Sequence, residues 1–357
     1  MAESRQMWRI GRLRFFVIVC LCLVVAVPGC ARGQDLDSAV RSFVDRGDFS
    51  GVVLVARGNR ILLEKAYGYA NREWDIANTI DTKFRIGSVS KQFTAACILL
   101  LAQEGKLSLQ DSITKYLPDA PRAWAPVTLH QLLTHTSGIP NVTSLPDFST
   151  RKTLPATLDQ MIARIRDLPL EFPPGTEGRY SNSGFIILAR VVERVSGETF
   201  AEFLAQRILR LAGLNNTGTD NPRTILKHRA SGYTRFSTEV GNADYINMSI
   251  PVGGGSLYST ADDLYRWILA LYSGQVIESK WLDLMTTPTF HNYGYGIEIR
   301  PEKGGRIIDH GGGIEGFNAF LQYRERDCLV VVVLSNINTG ITQKLANELA
   351  QISREIK

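Results

Sequence analysis

The 357-residue sequence lacks the short motifs that identify many enzymes. It contains no H-E-x-x-H helix, no P-loop and no G-x-S-x-G nucleophile elbow. Its five histidines show no spacing typical of metal ligands. These absences disfavour metal-dependent, nucleotide-dependent and α/β-hydrolase chemistry, and we expect no cofactor.

Cysteine is also scarce, with five in the whole chain. Cys97 falls in an apolar helical pattern and Cys328 at the start of a predicted strand. One possible pair does not make a disulfide framework, so we expect two buried free thiols. Neither cysteine lies in a motif typical of a nucleophile.

Long apolar runs are absent except near the N-terminus. Four arginines in the first fourteen residues precede Phe15–Val27, an unbroken apolar run of thirteen. A basic segment followed by a short apolar one predicts a signal peptide over residues 1–29, because about twenty apolar residues are needed to span a bilayer. An uncleaved N-terminal anchor is the alternative. Export would place the protein in the periplasm or outside the cell.

The formal net charge of +5 depends mostly on this leader. Without residues 1–29 the chain has 36 basic and 34 acidic side chains, a net charge of +2. We therefore expect no nucleic-acid partner. The composition, with 44% hydrophobic and 21% charged residues, is that of a globular protein.

The end of the leader resembles a bacterial lipobox, Val27-Pro28-Gly29-Cys30. Cys30 would then be lipidated, and several acyl chains would anchor the protein to a membrane. Pro28 departs from the usual small or branched residue, which leaves ordinary cleavage after Ala31 as the alternative.

Hydrophobic periodicity predicts strands at both ends of the remaining chain and helices between them. Gly51–Ala56 and Ile61–Tyr67 form a predicted hairpin. An apolar helical stripe over Gln92–Glu104 ends at Gly105, and the last hundred residues alternate strands and turns before a helix over Ile341–Ile356. This order favours an α+β protein with one antiparallel sheet built from both termini and an inserted helical region.

The pattern S-x-x-K occurs three times, at Ser88/Lys91, Ser112/Lys115 and Ser149/Lys152. Only Ser88 directly precedes the long apolar helix. A serine at a helix start and a lysine three residues later share one face. The helix N-terminus there also disfavours an ammonium. The other two pairs lie in polar segments and are expected to be solvated.

Five segments in order resemble the serine β-lactamase and penicillin-binding-protein superfamily. The closest branch contains class C β-lactamases, D-alanyl-D-alanine carboxypeptidases and related esterases. The resemblance runs from about residue 38 to the end of the chain. The segments are FRIGSVSKQFT (84–94), LLTHTSGIP (132–140), PPGTEGRYSNSGF (173–185), GGGSLYSTADDLYRW (253–267) and HGGGIEGF (310–317).

The resemblance implies one catalytic domain over residues 35–357. An α/β lobe would comprise about 35–85 and 250–357, and an all-helical lobe about 86–249. It also implies that Ser88 is the nucleophile of an acyl-enzyme and that neutral Lys91 is its base. The family's Y-x-N element fits Tyr69, Tyr180 and Tyr245.

Motif order selects Tyr180 among these tyrosines, because the family places this element between the serine and the third motif. Tyr180 would be a second proton carrier, hydrogen-bonded to Lys91, and Asn182 would bind the acyl amide. His135 of the second segment is expected to be a buried scaffold residue. The glycine-rich segment 253–256 is either a wall of the pocket or a plain loop.

The third family element, lysine or histidine before glycines, fits Lys303 and His310. Lys303 falls in a turn, so His310 is preferred and would line the cleft. Gly312 would let substrate approach the strand, and the Gly313 amide would complete an oxyanion hole with that of Ser88. A histidine here is commoner in peptidase- and esterase-like members than in β-lactamases.

These features predict an exported serine hydrolase that cleaves amides or esters of small or D-amino-acid-containing substrates. The expected partner is a small molecule or peptide, such as a peptidoglycan-like peptide, an ester or a β-lactam. A β-lactamase proper is one alternative. A catalytically silent cell-wall-binding or sensor protein on the same fold is another.

Overall fold

The computed structural model describes residues 28–237 and 239–356, with side chains from residue 35 onward. The predicted leader lies outside the described residues except for the backbone of residues 28 and 29. The side chain of Cys30 lies outside them as well. Among the described residues, no helix has both the length and the apolarity needed to cross a membrane.

The described chain contains both long strands and short ones. The strands are β1 (Gly51–Arg57), β2 (Arg60–Tyr67), β3 (Tyr69–Asn71), β4 (Ile76–Ala77), β5 (Phe84–Arg85), β6 (Gly218–Thr219), β7 (Tyr233–Phe236), β8 (Glu239–Asn242), β9 (Leu257–Ser259), β10 (Glu298–Glu302), β11 (Gly305–Ile314), β12 (Phe317–Arg324), β13 (Leu329–Ser335) and β14 (Ile337–Asn338).

The helices differ as widely in length. They are α1 (Pro28–Asp45), α2 (Lys91–Gln103), α3 (Leu129–Leu133), α4 (Phe148–Arg151), α5 (Leu158–Arg166), α6 (Asn182–Ser196), α7 (Phe200–Leu204), α8 (Ala261–Tyr272), α9 (Ser279–Met285) and α10 (Thr342–Ser353).

The main sheet has six antiparallel strands in the order β10-β11-β12-β13-β1-β2. Strand β1 pairs with β13, so that Leu54 lies opposite Val332. This pairing joins the two ends of the chain, as predicted. Strand β13 is buried along its whole length, because helices cover both faces of the sheet.

Alternate residues of the central strands therefore enter two different cores. Val53 and Val331 pack with helices α1 and α10 on one face, where Leu36 and Leu345 are fully buried. On the other face, Leu54 joins the larger core formed with α2, α6 and α8. Burial of this much apolar surface provides the main stabilisation of the fold.

The predicted α+β architecture is confirmed, with several differences in detail. The inserted region also contains the short strands β6, β7 and β8, which the strong helical patterns around them obscured. Strand β11 continues past the His310 motif position to Ile314. Cys97 is buried, but Cys328 is exposed at a turn with a positive φ of 49°, so the expectation of two buried thiols is wrong for Cys328.

Strand β11 meets the start of α2 at very short range, and glycines permit this approach. A Cβ on Gly312 would lie 2.0 Å from the carbonyl oxygen of Ile86, and one on Gly87 would lie 2.8 Å from the Gly313 nitrogen. Gly87 also has a positive φ of 49°. No other residue type could adopt this conformation and leave the same space.

Candidate active site

Ser88 lies where strand β11 meets helix α2. It is the second residue of a 3₁₀ turn, Gly87–Ser90, that leads directly into α2. The turn holds Ser88 partly exposed, while Val89 and Ser90 beside it are buried. The side chain of Ser88 thus faces a cavity and Val89 anchors the turn in the core.

Lys91 is fully buried beneath Ser88, with 0% exposure. Its Nζ lies 3.0 Å from Ser88 Oγ, 2.8 Å from Asn182 Oδ1 and 2.7 Å from the carbonyl oxygen of Gly254. No carboxylate of the described chain pairs with it in an ion pair or hydrogen bond. Burial therefore holds the pKa of Lys91 well below its ordinary value of 10.5.

This set of contacts suits a neutral amine. A neutral lysine has two N–H bonds and one lone pair. Asn182 Oδ1 and the Gly254 carbonyl can only accept hydrogen bonds, so they take both N–H groups. The lone pair is then left to face Ser88 Oγ, where it can accept the hydroxyl proton.

Tyr180 contacts Ser88 from the other side. Its hydroxyl donates to Ser88 Oγ at 2.7 Å. The expected hydrogen bond from Tyr180 to Lys91 is not the one observed, because Lys91 Nζ instead lies 4.8 Å from the centre of the tyrosine ring. Desolvation raises the pKa of Tyr180 above its usual value, so its hydroxyl keeps its proton at neutral pH.

Asn182, the first residue of α6, links the lysine to the wall of the cavity. Its Oδ1 accepts from Lys91, its Nδ2 donates to Thr143 Oγ1 at 3.3 Å, and its backbone N–H donates to Asn141 Oδ1. Asn182 lines the cavity, as expected, but it also orients Lys91. The sequence motifs gave no sign of Asn141 or Thr143, which are 41 and 39 residues away along the chain.

His310 does not line the cleft, contrary to expectation. It is 3% exposed, and its Nε2 lies 2.8 Å from the hydroxyl of Tyr293. Its Nδ1 lies 2.6 Å from the Gly311 carbonyl, which can only accept, so Nδ1 carries the proton and Nε2 accepts from Tyr293. Burial lowers the pKa of His310 to about 3, and the ring is neutral.

A second buried imidazole supports the ring of Tyr180. The centre of the His135 ring lies 4.4 Å from that of the Tyr180 ring and 4.6 Å from that of the Tyr293 ring, and His135 is 5% exposed. The Ser181 backbone N–H donates to its Nδ1. Burial lowers the pKa of His135 well below 6.5. His135 is thus a neutral scaffold residue, as its sequence context suggested, and Tyr293 is a neighbour that the sequence did not reveal.

Gly312 and Gly313 take different places beside the serine. The Cβ position of Gly312 points into the 86–88 turn, 3.2 Å from the Ser88 nitrogen, so Gly312 serves close packing of the backbone. Gly313 is exposed and lines the cavity together with Ser88. A molecule bound in the cavity would therefore contact Gly313 and not Gly312.

The cavity beside Ser88 has a volume of about 520 Å³, within the usual range for small-molecule sites. Gly254 and Gly255 form part of its wall, so the glycine-rich segment 253–256 is a wall of the pocket and not a plain loop. Asn182, Gly313 and Ser88 all line it. A ligand in the cavity would therefore contact both the amide of Asn182 and the nucleophile.

The alternative motif residues lie elsewhere or have other partners. Ser112 caps a 3₁₀ turn and Lys115 pairs with Asp111. Tyr69 and Tyr245 have exposed side chains and do not line the cavity beside Ser88. Lys152 is the exception, because it reaches the cavity wall and pairs with Glu315 at 2.8 Å. Within the described ranges, no cluster of His, Cys, Asp or Glu could hold a metal ion.

Comparison with known proteins adds independent findings. The family described as Beta-lactamase matches residues 36–353. A Bacillus subtilis penicillin-binding protein is 30% identical over 312 residues, which are 81% of this chain and 68% of that protein.

Two solved structures share the fold. The penicillin binding protein from Bacillus halodurans has a TM-score of 0.80 at 30% identity, covering 89% of this chain and 99% of that one. A D-stereospecific amidohydrolase from Streptomyces sp. has a TM-score of 0.75 at 25% identity, covering 90% and 97%.

Proposed function

This chain belongs to the Beta-lactamase family and is a serine hydrolase, and on that premise we propose that it is exported and forms an acyl-enzyme at Ser88. Its substrates are amides or esters of small or D-amino-acid-containing acyl groups. The contact of Ser88 with a buried lysine that has no acidic partner is the observation that carries this proposal.

Acylation begins when Ser88 Oγ attacks the carbonyl carbon of the substrate. The hydroxyl proton passes to the lone pair of Lys91, and the carbonyl π electrons move to the oxygen. Backbone N–H groups of Ser88 and Gly313 would stabilise this oxyanion. When the bond to the leaving group breaks, the Tyr180 hydroxyl gives a proton to the leaving amine or alkoxide, and the Lys91 ammonium beside the tyrosine ring passes the proton it took from Ser88 to the Tyr180 oxygen.

Deacylation repeats these steps with water. Neutral Lys91 accepts a proton from the attacking water, directly or through the Tyr180 hydroxyl, and returns it to Ser88 Oγ as this oxygen leaves and the acid is released. Each proton removed in one half of the cycle is returned in the other. The site needs no acidic base, which agrees with the absence of an ion-paired carboxylate at Lys91 within the described chain.

The neutrality of His310 bears on the substrate. β-Lactams and peptides ending in D-alanine carry a carboxylate, for which a cation is the natural partner. A neutral, buried imidazole bonded to Tyr293 supplies no such charge. This observation favours amide and ester hydrolysis over efficient β-lactam hydrolysis.

A fluorophosphonate probe tests the nucleophile. We expect wild-type protein to be labelled at Ser88 and Ser88→Ala not to be labelled. Ser112→Ala, at a rejected S-x-x-K pair, is the matched control and should be labelled like wild type. Equal labelling of Ser88→Ala, or none of wild type, would refute the proposed acyl-enzyme and favour a silent binding protein.

The substrate class is tested by comparing rates on three compounds. We expect turnover of a p-nitrophenyl ester and of a D-amino acid amide, and slow or no turnover of nitrocefin. A kcat/KM for nitrocefin above that of both other substrates would identify a β-lactamase instead.

Tyr180→Phe should lower kcat/KM by about a hundredfold, because it removes a proton carrier and little else. Steady-state kinetics on a p-nitrophenyl ester measures this change. Tyr245→Phe removes the same atom from a Y-x-N tyrosine outside the site and should retain wild-type activity. Unchanged kinetics in Tyr180→Phe would show that the hydroxyl is not part of the proton path.

Export and lipidation rest on the leader sequence. Expression in bacteria with radiolabelled palmitate should label the wild-type protein and not Cys30→Ser. Absence of label at Cys30, together with a mature N-terminus at residue 32, would replace lipid anchoring with ordinary cleavage after Ala31.

A further inference from the structure

The cavity beside Ser88 has an uneven distribution of charge. Among the described residues that line it, three have charged side chains, namely Lys152, Asp244 and Glu315. Two carboxylates therefore share one ammonium, and the wall carries one surplus negative charge. None of these residues takes part in the proton transfers proposed above.

The three side chains form one connected group. Lys152 Nζ lies 2.8 Å from Glu315 Oε1 and 3.5 Å from Asp244 Oδ2. Lys152 and Glu315 are 14% and 18% exposed, whereas Asp244 is 82% exposed. The inner pair is thus neutralised within itself, and Asp244 is the carboxylate left available to a ligand.

The position of Glu315, directly after the last residue of β11, links these three side chains to the cavity beside Ser88. Glu315 follows Gly313 by two residues, and Gly313 lines the cavity beside Ser88. A ligand that fills the cavity next to the nucleophile therefore extends along the strand toward Glu315 and its partners. The rest of the wall is largely apolar and includes Val142, Phe148, Ile186, Ile246, Ile250 and Ile314.

We infer that the cavity selects acyl groups that combine an apolar side chain with a positively charged amine, which Asp244 attracts. The apolar wall takes the side chain, and the surplus carboxylate takes the ammonium. This inference rests on the proposed function and names its substrate class as amides and esters of amino acids with a free amino group. Acyl groups bearing a carboxylate are disfavoured by the same charge.

Three p-nitroanilides with one benzyl side chain test the inference. They carry at the α-carbon an ammonium (phenylalanine), a hydroxyl (phenyllactic acid) or a carboxylate (benzylmalonic acid), and both enantiomers are used. Their Kd values are measured by calorimetry on Ser88→Ala, which cannot turn them over. Measurement at about pH 6, well below the ordinary α-amino pKa of about 7.7, keeps the amine charged.

We expect the ammonium compound to bind about threefold more tightly than the hydroxyl compound, and the carboxylate compound to bind most weakly. Binding to Ser88→Ala does not depend on catalysis, so a failed ranking refutes the inference alone. Loss of fluorophosphonate labelling in wild type would refute the proposed acyl-enzyme alone. Equal binding of all three compounds, or a preference for the carboxylate, overturns the inference.

Stepwise removal of charge sharpens the test. In the Ser88→Ala background, Asp244→Asn should abolish the preference for the ammonium compound. Asp244→Asn combined with Glu315→Gln should reverse the preference in favour of the carboxylate compound, because Lys152 then has neither of these two carboxylates as a partner. Asp159→Asn removes a carboxylate that pairs with Arg190 outside the cavity and should leave the ranking unchanged. Circular dichroism establishes that each variant is folded. A ranking that stays constant in the double variant would contradict the inference.

Discussion

Replacement of Lys91 by methionine should lower kcat/KM by about ten-thousand-fold while the protein remains folded. Methionine has nearly the volume of lysine and no lone pair on nitrogen, so the variant removes the base with little change in packing. Ester hydrolysis and the rate of fluorophosphonate labelling both measure the effect. Labelling should slow in parallel, because it requires the same proton to leave Ser88.

The direction of the pH dependence follows from the buried state of this lysine. Only the neutral amine can act as a base, so kcat/KM should fall as the pH falls through the lowered pKa of Lys91. This fall of kcat/KM at low pH should be missing from the residual activity of Lys91→Met. A fall at the same pH in both proteins would show that another group is responsible for the pH dependence.

The lowered pKa of Lys91 also makes the stability of the fold depend on pH. The unfolded chain holds a proton on Lys91 up to about pH 10.5, whereas the folded chain releases it at lower pH. Between these two pKa values the unfolded state binds more protons, so stability rises with pH across that window. Urea unfolding at several pH values should show this slope in wild type and a smaller one in Lys91→Met.

A matched control separates loss of the base from general damage to the core. Lys83 is also buried, at 8% exposure, but it contacts the Lys227 carbonyl and lies outside the site. Lys83→Met should retain activity within a few-fold of wild type. Retained activity in Lys91→Met would show that another group deprotonates Ser88.

Local sequence patterns were sufficient to predict the elements that carry the nucleophile. The apolar stripe of α2 and its glycine stop depend only on neighbouring residues, and the structure places this helix at Lys91–Gln103. The S-x-x-K spacing likewise fixes Ser88 and Lys91 on one face within a single helical turn. The contribution of both ends of the chain to one sheet followed from the order of elements along the chain.

Contacts between distant segments could not be predicted in this way. Lys152 and Glu315 are 163 residues apart, and nothing in the polar segment around Lys152 indicates that it reaches the cavity. His310 occupies a motif position that suggests an open cleft, but Tyr293 packs against it and buries it. Such contacts depend on how distant segments of the chain pack together, which local periodicity does not determine.

The second large effect concerns backbone packing at the seam between β11 and α2. Gly312→Ala would place a Cβ 2.0 Å from the Ile86 carbonyl oxygen and 3.2 Å from the Ser88 nitrogen. A backbone carbonyl cannot rotate away as a flexible side chain can. The strand and the turn that carries Ser88 must therefore move apart, which separates Gly313 from the nucleophile.

Gly312→Ala should destabilise the protein by about 3 kcal/mol and lower kcat/KM by at least about a hundredfold, since displacement of reacting groups by about 1 Å is enough for such a loss. Thermal unfolding and ester hydrolysis measure the two effects. Gly311→Ala is the matched control, because its Cβ would meet the Phe320 ring at an ordinary 3.6 Å. It should fold normally and be labelled by the fluorophosphonate. Equal stability and activity in both variants would show that the close approach of β11 to the 86–88 turn does not position Ser88.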